Sequence, residues 1–216
     1  VLIPDLYYYI SGILFLVLIY AGYQDFKNRR INTVPFLVLD VALGVYYLLS
    51  APYISIFVVP LILEYYLKKF SPLPYLLALI PPIIDPTVIS VSIAYSIIVI
   101  KMIGIFVKNF GRGDIKALET IAIAVPFYSF LPLRYALFPP VMTVMFVSSI
   151  IGLILSIIMN SRAKNIHTGE EIKAQERDRS QKFWVYGERY IYKIPFVGLV
   201  AISFSSLFIL SLLLSV

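Results

Sequence analysis

The chain has no cysteine, which excludes disulfides, thiolate catalysis and cysteine-bound zinc. It has one histidine, His167, in a polar stretch that reads as solvated loop. No histidine cluster can therefore hold a metal, and a serine–histidine nucleophile would have to be built on His167 alone. Charge is scarce too: Asp, Glu, Lys and Arg make up 14% of the 216 residues, against roughly 25% in an ordinary soluble domain. Acids are scarcer than bases, 12 against 18, for a formal charge of +6. A basic balance can mark a nucleic-acid binder, but the cytoplasmic loops of membrane proteins collect Lys and Arg as well. The second reading fits a chain whose charges fall in short clusters between apolar runs.

Those runs dominate what is present. Hydrophobic residues make up 60% of the chain and the mean hydropathy is +0.90, the profile of a polytopic membrane protein. Segments near the ~20 residues needed to cross a bilayer are expected at about 6–24, 34–50, 53–67, 87–107, 115–133, 137–159 and 195–216. A shorter apolar piece, 74–84, contains Pro81 and Pro82, which should break a helix. The first segment has no basic stretch before it, carries Asp5 and leads into further spans, so it is not expected to be a removable leader. The expectation is an all-α transmembrane bundle of six to eight membrane segments. It forms one membrane-embedded domain, 1–216, with a polar loop at 160–194 and a helix within that loop at Glu170–Arg179.

The basic residues orient this bundle. If every segment crosses and the amino terminus is outside, four loops face inward. They hold Lys27, Arg29, Arg30, Lys68, Lys69, Lys108, Arg112, Lys116, Arg162, Lys164, Lys173, Arg177, Arg179, Lys182, Arg189 and Lys193, which is all of the 18 except Lys101 and Arg134. That asymmetry obeys the positive-inside rule.

Acids inside a membrane are costly and are functional candidates by default. Asp5 and Asp85 fall at outer ends and read as solvated. Glu64 stands four residues before Lys68 and can pair with it. Asp40 lies mid-span and needs a buried partner, for which Lys101 is the candidate. Neutralising Asp40, Glu64 or Asp85 is expected to leave most activity. Asp25 and Asp114 differ, because each stands where a span meets a basic inner loop, at the same depth. Two carboxylates sharing a site do not both ionise readily, so one keeps its proton. That places a base, able to activate water, beside an acid, able to protonate a carbonyl under attack. Gly111 and Gly113 flank Arg112, and their lack of side chains lets an extended substrate approach the turn before Asp114. Taken alone, Gly113-Asp114 reads equally as a helix start with an aspartate cap.

The stretch Gly111-Arg112-Gly113-Asp114-Ile115-Lys116-Ala117-Leu118 resembles the Gly-x-Gly-Asp-x-Lys-x-Leu motif of the type IV prepilin peptidases. Asp25-Phe26-Lys27-Asn28-Arg29-Arg30-Ile31 is similar to that family's first motif, an Asp closing the first span followed by Arg and Ile. The short basic loops look most like the archaeal preflagellin peptidase branch. The resemblance implies a membrane aspartyl protease in the cell membrane that removes a short basic leader from preflagellins or prepilin-like proteins at the cytoplasmic face. Asp25 and Asp114 would be its catalytic pair, with Gly111, Arg112, Gly113 and Lys116 as motif and substrate-binding residues. No cofactor, metal or nucleic acid is implied, and the zinc and methylation functions of bacterial members do not carry over to a chain without cysteine. Two features depart from the pattern: Ile31 is followed by Asn32-Thr33, with proline only at Pro35, and the spacing between the aspartates is long, as if 53–84 were an insertion.

Two other classes remain at this stage. A presenilin or signal-peptide-peptidase kind of protease would carry a Tyr-Asp in the span before Gly111, and 87–107 contains no acid. A transporter or assembly component would use Asp40, Glu64 and Lys101 as a polar path. For the peptidase, the basic rim should repel a basic leader unless anionic lipid, or the acids Glu119, Glu170 and Glu171, offsets it. The absence of native cysteine makes the orientation testable. Single cysteines placed at Ser161 and at Val216 are expected to label from opposite sides of sealed vesicles, and labelling of both from one side would refute it.

Overall fold

Prolines mark where the helices begin. Pro's fixed φ and missing N–H suit the first turn of a helix and no later position. Pro4 opens α1 (Pro4–Asn28), Pro35 sits in the first turn of α2 (Val34–Ser50), Pro52 opens α3 (Pro52–Ser55) and Pro140 opens α8 (Pro140–Lys164). Pro81 and Pro82 start a helix instead of breaking one: a 3-10 turn, Leu73–Leu79, leads into α5 (Ile80–Ile84), whose opening turn holds both prolines. The remaining helices are α4 (Val58–Leu67), α6 (Val88–Phe106), α7 (Arg112–Ala124) and α9 (Phe196–Leu214). The computed structural model describes residues 4–67, 73–107, 110–132, 135, 137–164, 183–186 and 189–214. His167, the expected helix at Glu170–Arg179, the Lys68 partner of Glu64, Lys69, Lys108 and Arg134 lie outside them.

Four helices, α1, α6, α8 and α9, are long and apolar enough to cross a membrane, and α2 is a shorter apolar helix. The expected third span is divided, α3 being separated from α4 at Ile56–Phe57. The first span also runs further than expected: α1 continues through Asp25, whose carbonyl accepts the Arg29 N–H at 3.0 Å. The bundle is helical, with one addition. Phe183–Tyr186 (β1) and Arg189–Tyr192 (β2) form an antiparallel hairpin, Phe183 opposite Tyr192. Aromatic and β-branched residues crowd both strands, which favours extended backbone over helix.

The helix α1 runs along α9, and α9 packs on α8. The α1–α9 crossing is close because it is made of small residues: a Cβ on Gly22 would stand 3.0 Å from the Cβ of Ala201 and 3.3 Å from the Cα of Gly198. Helix α7 is enclosed by α1, α2, α4, α6, α8 and α9, and every residue from Ile115 to Ala124 is buried. At thirteen residues it rises only ~20 Å.

Three of those buried residues are polar and fix α7 to its neighbours. Lys116 Nζ lies 2.8 Å from Asp40 Oδ2 and donates to the Leu61 carbonyl at 2.9 Å. Thr120 Oγ1 donates to Asp40 Oδ1 at 2.8 Å. Glu119, fully buried, has an oxygen 3.5 Å from Lys101 Nζ. Asp40 is thus paired with Lys116, not with Lys101 as expected. Lys101 instead reaches Glu64 at 2.5 Å. Glu119 is buried away from the surface, so it does not offset the charge of the rim. Asp40→Asn, expected to be mild, now leaves a buried ammonium without its carboxylate, a change that typically costs about 3–5 kcal/mol.

The close crossing of α1 and α9 has its own test. Gly22→Leu is expected to push the helices apart and destabilise the protein by about 1–3 kcal/mol, the usual penalty for overpacking. The thermal midpoint of the purified protein reads this, and an unchanged midpoint would contradict the crossing.

Candidate active site

Asp25 lies near the carboxyl end of α1, buried at 8% exposure. Its Oδ2 accepts the backbone N–H of Gly198 at 3.2 Å. Gly198 is the third residue of α9, so its N–H has no partner within that helix. The carboxylate therefore caps α9 from outside. Glycine is needed at this position because the Phe26 ring would stand 2.3 Å from a Cβ.

Asp114 makes a similar contact at the start of α7. Its N–H donates to the Gly111 carbonyl at 3.0 Å, and its Oδ2 accepts the Gly111 N–H at 2.8 Å. The cap expected from Gly113-Asp114 alone is present in this reciprocal form. A Cβ on Gly111 would lie 2.8 Å from Asp114 Oδ2, and one on Gly113 would lie 2.2 Å from Ile31 Cδ1. Both glycines therefore permit close approach, the first of the carboxylate and the second of the α1–α2 connection. That connection follows Asp25 directly, so Gly113 brings the two aspartate-bearing segments together.

Asp114 is partly buried in the first turn of α7, ahead of the helix's enclosed stretch. Burial pushes its pKa up to about 7; the Gly111 N–H pulls it down, and the negative charge of Asp25 pushes it up. At neutral pH this carboxyl holds a proton for much of the time.

Arg29, just past the end of α1, has φ +53°, the left-handed cap region that a glycine occupies without strain. Its guanidinium donates to the Asp25 carbonyl at 3.2 Å and to the Tyr192 hydroxyl, and stands 5.1 Å from the Tyr192 ring centre. The Tyr192 N–H donates in turn to Asn160 Oδ1 at 2.8 Å. The hairpin thereby joins the end of α8 to the end of α1, beside Asp25.

The structure brings Asp25, Asp114, Gly111 and Gly113 to one end of the bundle and leaves Arg112 exposed. Lys116, expected to serve substrate, turns inward to Asp40. The sequence reading missed Gly198, Arg29 as an anchor and Tyr192. Gly198 had one visible signal, its place just after Pro195 at the start of an apolar run. Among the described residues no group of acids and histidines could hold a metal ion. No family model matches the chain, and no curated protein or solved structure gives a match.

The electrical contact between the carboxyls is measurable without any assay of function. With isotope-labelled aspartate, the carboxyl of Asp114 is expected to titrate near pH 7 and to shift downward in Asp25→Asn, which removes the negative charge that raises it. An unmoved midpoint would place the two groups out of reach of each other.

Proposed function

We propose that the chain is a membrane aspartyl endopeptidase that removes the short basic leader from preflagellins or prepilin-like proteins at the cytoplasmic face of the cell membrane. One observation carries this reading: two carboxyls on different helices, each held by a backbone N–H at a helix start, lie at one end of the bundle, where Gly113 lets the Asp114 turn approach the connection that follows Asp25. The resemblance of both surrounding stretches to the prepilin peptidase motifs supplies the substrate class.

The division of labour is assigned from Asp114, whose buried setting favours its protonated form near neutral pH. Asp114, with its raised proton affinity, serves as the acid, and Asp25 serves as the base. Asp25 takes a proton from a water, whose oxygen attacks the scissile carbonyl carbon. Asp114 gives its proton to the carbonyl oxygen. Collapse of the gem-diol intermediate breaks the C–N bond: the proton on Asp25 passes to the leaving amine, and one hydroxyl of the gem-diol returns its proton to Asp114 as the carbonyl re-forms. The rates should follow two macroscopic pKa values that belong to the pair, with activity falling as the pH rises past about 7, where Asp114 loses its proton.

The orientation that suits this chemistry has an even number of membrane segments, six or eight, and both termini outside. Helices α7 and α9 then start at the cytoplasmic end, where α1 finishes. The exposed Lys27, Arg30 and Arg112 rim that end, and anionic lipid is the partner that would offset their repulsion of a basic leader. The transporter reading loses support because Glu64 and Lys101 are paired with each other, and Asp40 with Lys116, inside the bundle. They do not stand as a series of free groups.

Asp25→Asn and Asp114→Asn are each expected to lower cleavage of a leader-bearing preprotein by at least ~100-fold, with the protein still folded in the membrane. The double variant should be little worse than either, because the pair acts as a unit. A well-folded single variant with near-normal activity would remove both residues from the mechanism.

A further inference from the structure

The buried polar groups around α7 contain an imbalance. Asp40, Glu64 and Glu119 supply three carboxyls and Lys101 and Lys116 supply two ammoniums, each of the five mostly or wholly buried. Fully ionised, the group would carry an uncompensated negative charge inside an apolar bundle, which is costly. The hydrogen bonds show where a proton would relieve it. The Tyr75 hydroxyl meets both Glu64 Oε2 and, at 3.3 Å, Glu119 Oε2. A phenol has one hydrogen, so both contacts are full two-centre hydrogen bonds only if one carboxyl supplies the second hydrogen. Glu64 Oε2 also receives Lys101 Nζ at 2.5 Å, which makes it an acceptor and an ionised group. Asp40 accepts from Thr120 through Oδ1, and its Oδ2 stands 2.8 Å from the Lys116 ammonium, a closer cation than the one Glu119 faces at 3.5 Å, which favours its ionised form. Glu119 remains: its Oε2 faces the phenol oxygen, and its Oε1 is buried without a hydrogen bond.

We propose that Glu119 carries the one proton of this cluster, and that the charge-balanced cluster fixes α7 so that Asp114 is held against Asp25. Lys116, Glu119, Lys101, Glu64 and Asp40 are then positioning residues. They touch neither substrate nor the reacting atoms, and act through the helix that carries Asp114. The proposal rests on the peptidase reading for its catalytic consequence and on the cluster alone for its structural one. The proton on Glu119 also makes that residue a reserve: if Glu64 loses its charge, Glu119 can ionise and take over Lys101, 3.5 Å away.

The reserve predicts a distinctive pattern. Glu119→Gln exchanges a neutral acid for a neutral amide and is expected to keep cleavage within about threefold of wild type. Glu64→Gln, compensated by Glu119, should stay within about tenfold. Together the two changes take both carboxylates from Lys101 and should lose at least ~100-fold, with the limbs of the pH–rate profile displaced, because Asp114 has moved relative to Asp25. A plain loss of folded protein would lower the amplitude and leave the limbs in place. Adding Lys101→Met removes the buried charge that has lost its carboxylates and should restore most of the loss, since replacing a whole buried ion set with apolar groups is often neutral. The parallel readout is structural. In this cysteine-free chain, spin labels at Asn28→Cys and Arg112→Cys report the distance between the ends of α1 and α7. That distance should stay at the wild-type value in each single variant, broaden in the double and return in the triple. Additive losses, failure of Lys101→Met to rescue, or an unchanged distance in the double variant would each overturn the proposal. If the wild type cleaves no preprotein while the distances follow this series, the peptidase reading fails and the cluster stands.

Discussion

An ionised side chain enclosed by apolar helices must find its counter-charge among them, because neither lipid nor packed side chains can replace water. In this chain the constraint falls on one short helix. Lys116 of α7 finds its counter-charge in Asp40 of α2, and Glu119, facing Lys101 and Tyr75, links α7 to α6, to the 3-10 turn and, through Glu64, to α4. Too short to be secured by length, α7 is secured by these contacts. Asp114 stands two residues before Lys116 on the same helix, so the ion pairs that hold the helix also set where that carboxyl points.

The opposite wall depends on backbone, not charge. Gly22, Gly198 and Ala201 let α1 and α9 approach closely, and this brings the free N–H of Gly198 to Asp25. Each aspartate thus fills a structural role at a helix start. In the proposed reaction capping and chemistry do not compete: the N–H groups that end each helix also hold one oxygen of each carboxyl in place, while burial keeps the proton affinity of Asp114 high. The hairpin adds a third tie, because Arg29 and Tyr192 join the end of α1 to the end of α8 through Asn160.

Much of this was legible in the sequence. Hydropathy alone located α1, α6, α8 and α9, since a membrane-length apolar run has few other uses, and the glycine-flanked Asp114 stood out at the edge of a span. The partners of buried charges were not legible. Asp40 and Lys116 are 76 residues apart, and nothing local distinguishes Lys116 from Lys101 as the cation that Asp40 meets; only the packing of α2 against α7 decides it. The prolines misled for a different reason. Pro81-Pro82 reads as a break, whereas the first turn of a helix tolerates both. The hairpin was overlooked inside a polar loop, although Phe183–Tyr186 and Arg189–Tyr192 carry the aromatic and β-branched residues of two strands separated by two residues, one of them Gly187.

The central claim is that paired carboxyls at the cytoplasmic end of this bundle cut a leader ahead of a hydrophobic segment. The most direct test incubates the purified wild-type protein, in vesicles containing anionic lipid, with a preflagellin or prepilin-like precursor and determines the new amino terminus by mass spectrometry. The account predicts one cut, at the junction between the basic leader and the apolar segment. A precursor left intact, or cut within the apolar segment, would contradict it.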